Sequence, residues 1–96
     1  MYYFKIKILN NSYTYYSIEK NMLYTQRTYS DFYEMNLYDL LYTNKSYKYI
    51  KEYSNKVDFY TENIFDYNLS KLSYNDFLRQ IVKVYLRDKK ISKLLE

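Results

Sequence analysis

The hydrophobic period changes along this chain, and that change limits its fold more than any other feature. In the first third, Phe4, Ile6 and Ile8 point one way while Lys5 and Lys7 point the other. That period of two is expected of a half-buried strand. Asn10-Asn11-Ser12 reads as a turn, because Asn tolerates the left-handed region and Ser bonds to nearby backbone. A second strand is expected over about Tyr13 to Glu19, where Tyr, Thr and Ile suit a pleated surface. Lys20-Asn21 can close a tight hairpin onto a third strand, about Met22 to Thr28. The last third has a helical period instead. Ser73 with Asp76 reads as a cap, and Phe77, Leu78, Ile81, Val82 and Tyr85 line one face. Arg79, Lys83 and Arg87 recur at four-residue spacing on another side, which reads as exposed.

Between these regions a further helix start is expected. Ser30 or Asp31 can cap free amides, with Glu34 three residues after Asp31, and Phe32, Met35, Leu37, Leu40 and Leu41 continue to about Tyr42. Residues 43–57 look irregular and basic, and residues 58–68 acidic with a short helical turn. Asp88 can cap a final short helix carrying Ile91, Leu94 and Leu95. The order predicts one α+β domain over residues 1–96, a three-stranded antiparallel N-terminal sheet packed against a helical half.

Composition enters as a set of exclusions. The 96 residues contain no Cys, no His and no Gly. Without Cys there are no disulfides, thiol nucleophiles or cysteine-bound metal clusters. Without His there is no Ser/His/Asp triad, imidazole base or ordinary zinc site. Without Gly there is no glycine-rich phosphate loop. Asp31 and Glu34 are accounted for by capping, and Asp58, Glu62 and Asp66 do not supply an oxygen-rich metal cage. A non-catalytic protein with no cofactor and no metal is therefore expected. The 17 Tyr, with many Asn, Lys and Ile and no Ala or Pro, follow codons rich in A and T.

The net charge of +4 is unevenly placed. Residues 1–43 carry four basic and four acidic side chains, and residues 44–96 carry eleven and seven. Such an excess suits a lipid headgroup, nucleic acid or an acidic protein surface. It is most suggestive from Lys45 to Lys56, where Tyr47, Tyr49, Ile50 and Tyr53 are interleaved with Lys48 and Lys51. Tyr belongs at the headgroup level of a bilayer, and each Lys beside an anionic surface is worth about 1 kcal/mol. No apolar run approaches the ~20 residues that span a bilayer. The N-terminus shows no cationic stretch followed by an apolar one, so a cytosolic protein is expected.

The segment Arg27-Thr28-Tyr29-Ser30-Asp31-Phe32 resembles the R-R-Y-S-D-F motif of PX (phox homology) domains, where the third strand runs into the first helix. Met35 to Leu41 is similar to that family's F-x-x-L helix. Ser73 to Arg79 is similar to its G-L-x-x-F-L-x segment, and Asp88 to Leu95 to its closing helix. The resemblance implies a divergent, sorting-nexin-like module that binds phosphoinositides on endosomal membranes, cytoplasmic and peripheral. A trafficking coat or cargo protein is an implied partner. It also implies a headgroup site: Tyr29 stacks on the inositol ring, Lys56 is the loop lysine, and Arg27 or Lys71 completes one cleft with them. Two family Arg positions fall instead on Thr28 and Ser70, and the loop prolines are missing. Neighbouring strand residues face opposite sides, so Arg27 does not simply replace an Arg at position 28. Binding is therefore expected to be weak and driven by charge.

A different class is also compatible with the composition: a small viral or mobile-element protein that engages a host protein or nucleic-acid complex. Lys/Tyr-rich surfaces suit single-stranded nucleic acid. No recognition helix or RNA-binding sheet motif is present, however, so nucleic acid is the weaker expectation.

Overall fold

Asn11 and Lys20 show how a chain without glycine turns. The computed structural model describes residues 2–26, 32–50 and 63–95, with side chains as far as residue 89. Both turn residues hold positive φ, 63° at Asn11 and 55° at Lys20. They join β1 (Tyr2–Leu9) to β2 (Ser12–Glu19) and β2 to β3 (Met22–Gln26). Asn visits the left-handed region readily, whereas for Lys it costs roughly 1–2 kcal/mol. Tyr2 pairs with Ile18, Phe4 with Tyr16 and Ile6 with Thr14, so the alternation in the sequence sets the register. Both expected hairpins are present.

The sheet has six strands, in the order β5-β4-β3-β2-β1-β6. β4 (Phe32–Asn36) pairs antiparallel with β3, and β5 (Lys48–Ile50) antiparallel with β4. β6 (Ile64–Asp66) runs parallel to β1. The general α+β class holds, but this mixed sheet is not the three-stranded sheet expected from the sequence and from the PX resemblance. The expected helix from residue 31 is the cause of much of the difference. Phe32 to Asn36 form a strand, and only Leu37–Tyr42 (α1) is helical. A ladder to β3 satisfies backbone groups that an edge strand would otherwise leave bare. Met35 then faces Leu23 in the core, and the apolar pattern is divided between two elements. The helix cap is Asn36, whose Oδ1 accepts from the Tyr38 N–H at 2.8 Å. Ser30 and Asp31 lie outside the described residues.

Of residues 58–68, expected to hold a short helical turn, 58–62 lie outside the described residues, Ile64–Asp66 form β6, and a 3-10 turn follows at Tyr67–Leu69. α2 (Tyr74–Leu95) then begins as its sequence predicts, with Ser73 Oγ accepting from the Asp76 N–H at 3.3 Å. The expected break at Asp88 is absent. No Gly or Pro interrupts residues 86–95, and extending a helix costs less than nucleating a second one.

Both helices cover one face of the sheet. Phe4, Ile6, Tyr16, Ile18, Leu23 and Met35 meet Leu37 and Leu40 of α1 and Leu78, Ile81 and Val82 of α2 in one core. Tyrosine does much of the packing. Tyr2 stacks on Tyr85 with ring centroids 4.6 Å apart, and the Tyr16 and Tyr74 hydroxyls share a hydrogen bond of 2.5 Å. Leu86 still packs against the core, whereas Arg87, Asp88 and Lys89 are all exposed, so core contact has ended by that turn. Among the described residues, no helix is long and apolar enough to cross a membrane.

Candidate functional site

α1 is short and amphipathic, and its outward side is aromatic. Leu37 and Leu40 are buried, which leaves Tyr38 and Tyr42 64% and 69% exposed. One helical turn apart, their rings lie 5.0 Å from each other. Thr43 ends the helix: its N–H and its hydroxyl both donate to the Asp39 carbonyl, at 3.1 and 2.9 Å. The chain then runs extended into β5, where Tyr49 meets Tyr33 edge-on at 5.5 Å and remains 50% exposed. Lys45, in the α1–β5 connection, and Lys48, beside Glu34 on the face of β5 opposite Tyr49, have side chains 70% and 77% exposed. Together they form an aromatic, cationic rim.

The rim is less cationic than its lysines imply. Lys45 Nζ stands 3.7 Å from Asp39, and Lys48 Nζ stands 3.7 Å from Glu34. Exposed pairs of this kind are worth about 0–1 kcal/mol, so either lysine can leave its carboxylate for a lipid phosphate. The carboxylates nonetheless remain at the surface and oppose an anion.

Beside the rim, α1, the α1–β5 connection and α2 enclose a half-open groove of about 360 Å³. Asp39, Thr43, Lys45, Tyr47, Asn75 and Arg79 are among its walls. Arg79 is tied down within it. Its Nε donates to the Leu40 carbonyl at 2.7 Å, and its Nη1 donates to Asp76 at 2.9 Å. Leu40 lies in the last turn of α1, where carbonyls lack helical partners, so Arg79 caps one helix from the other. The Ser73 hydroxyl, then Arg79, hold the Asp76 carboxyl below its ordinary value. Arg79 was expected on an exposed side; it is a half-buried tether.

The expected headgroup residues are not assembled among the described ones. Arg27, Tyr29 and Lys56 lie outside them, as does Lys51 of the expected membrane loop. Lys71 is exposed between the 3-10 turn and α2 and does not line the groove. Lys45 and Tyr47 do line it, Lys48 borders a smaller recess beside it, and Tyr49 and Ile50 sit on β5. Sequence reasoning missed Tyr38 and Tyr42, although their spacing opposite Leu37 and Leu40–Leu41 was visible. It also missed Glu34 and Asp39 as counter-ions, which needed the β4–β5 register and the α1 turn. Among the described residues, no three acidic side chains group to hold a metal ion. Neither family models, curated proteins nor solved structures give a match to this chain.

Proposed function

We propose that this protein is a non-catalytic module that docks on anionic membrane surfaces, as a cytoplasmic adaptor in membrane trafficking at the endosome. The observation that carries this is the rim: three exposed tyrosines, Tyr38, Tyr42 and Tyr49, flank two exposed lysines along one stretch of chain. Tyrosines partition to the headgroup level and lysines meet its phosphates. The adjoining groove, at about 360 Å³, falls within the ~300–1,000 Å³ typical of ligand clefts, and Asp39 in its wall opposes a phosphate there. Lipid binding is the part of the PX resemblance retained here; its three-stranded sheet is not.

Because Lys45 and Lys48 already hold carboxylates, binding is weak and follows surface charge rather than phosphate position. Sedimentation with vesicles containing phosphatidylinositol 3-phosphate, its isomers or phosphatidylserine tests this. Association is expected with all of these, falling steeply between low and physiological salt as exposed charges are screened within ~8–10 Å. Salt-insensitive preference for one isomer would show a built phosphate pocket. No association with any vesicle would overturn the function.

A further inference from the structure

Counting charge along α2 changes where the field of this molecule lies. Residues 83–95 contain Lys83, Arg87, Lys89, Lys90 and Lys93 against Asp88. The remainder of the chain holds ten basic and ten acidic residues, so its net charge is zero. The whole excess of +4 belongs to the distal half of one helix.

The described side chains place three of those five cations in solvent. Lys83, Arg87 and Lys89 are exposed, and Arg87 meets its neighbour Asp88 at a loose 3.6 Å. The position of Asp88 also bears on Tyr2: burial first, then Tyr85 and Asp88, hold that hydroxyl above its ordinary value. Helical geometry puts Lys83 and Arg87 on the side opposite Val82 and Tyr85, away from the sheet, and Lys89 on the other side of the helix, past the end of the core contact. Val84, beside them, is 46% exposed. Tyr38 and Tyr42 belong to the other helix on the same sheet face, so the aromatic rim and the cationic half-helix share the helical layer.

We infer that the distal half of α2 is an anion-docking surface that lies against the phosphates of an anionic bilayer and supplies most of the electrostatic attraction. This rests on the membrane function proposed above and adds to it a second contact, separate from the rim. Charge complementarity selects the partner class, and the exposed tyrosines in the same layer favour a bilayer over a nucleic acid. At the rim the lysines exchange one carboxylate for another anion. On α2 the acids near the three exposed cations are Asp88, beside Arg87, and Asp76, whose charge reaches Lys83, so their attraction is less opposed than at the rim.

The test compares Lys83→Gln/Arg87→Gln/Lys89→Gln with the intact chain. All three positions are exposed, Gln is a good helix former, and far-UV circular dichroism checks that the helix is kept. Partition is measured on phosphatidylcholine vesicles with and without phosphatidylserine, and on a single-stranded oligonucleotide at matched salt. Each cation beside an anionic surface contributes about fivefold, so losing the two on the outward side should make the triple variant bind serine-containing vesicles about 25-fold more weakly. Its salt dependence should also be shallower. Equal binding by the intact and triple variants would overturn the α2 surface while leaving membrane docking intact. If the intact chain binds no vesicle, membrane docking itself fails. If it binds oligonucleotide instead, through the same three residues, the partner class assigned here is wrong.

Discussion

The rim at Tyr38–Tyr49 and the distal half of α2 are both rich in cations, yet they differ in what surrounds those cations. At the rim, β4 and α1 bring Glu34 and Asp39 to 3.7 Å from Lys48 and Lys45. On α2, Lys83, Arg87 and Lys89 stand on a continuous helix, with Asp88 beside Arg87 and the charge of Asp76 reaching Lys83. A run of lysines therefore says little about field until the fold shows which carboxylates face it. The rim contributes aromatic surface and α2 contributes net charge.

The largest effect should come from reversing charge. Lys83→Glu/Arg87→Glu/Lys89→Glu is expected to weaken binding to anionic vesicles by about a thousandfold, since the two outward attractions become repulsions. Lys45→Glu/Lys48→Glu should cost about tenfold, because each lysine already shares its charge with a carboxylate. Vesicle flotation at low salt measures both, and similar losses would erase the distinction. The reverse experiment sharpens it. Glu34→Gln/Asp39→Asn leaves Lys48 and Lys45 without these partners and should raise binding several-fold, by about 1 kcal/mol in all.

A smaller effect concerns the tether between the two regions. Arg79→Met removes the hydrogen bonds to Leu40 and Asp76 while keeping much of the stem. Urea unfolding should show a loss of about 1–2 kcal/mol, and amide exchange should quicken in α1 more than in α2. The smallest effect is in pH. Asp76 has its carboxyl lowered by Ser73 and Arg79, so its contribution is present above the ordinary 3.8 and is lost as pH falls through the lower folded value. Asp76→Asn should flatten that acid limb of a thermal-unfolding series; an unchanged limb would assign it elsewhere.

How much of this was legible in the sequence depends on whether local pattern or distant pairing decided the outcome. The two hairpins were legible because Phe4, Ile6 and Ile8 alternate and Asn11 and Lys20 stand at the turns. The start of α2 was legible because Ser73 and Asp76 cap it. β4 was not, since Phe32 to Leu41 carries an apolar spacing that fits a helix and also fits a strand joined to a helix. Pairing with β3 decided it. β5 and β6 are three residues each and have no pattern of their own; they exist through β4 and β1. At the site, Lys45, Lys48 and Tyr49 are exposed, whereas Tyr47 packs against the core and Lys48–Ile50, expected to be irregular, form β5. Their counter-ions are set by register and by α1, which spacing alone did not reveal. The headgroup residues Arg27, Tyr29 and Lys56 lie outside the described structure.

Because the chain has no cysteine, single labels can report whether α2 docks on the membrane. Val84→Cys and Leu9→Cys each place a single label at an exposed apolar position, one on the distal half of α2 and one at the far end of β1. With an environment-sensitive fluorophore at each site, anionic vesicles should shift and brighten the emission from position 84 and leave position 9 unchanged, and high salt should reverse the change. Emission that changes at position 9 and stays constant at position 84, under conditions where the protein is vesicle-bound, would contradict it.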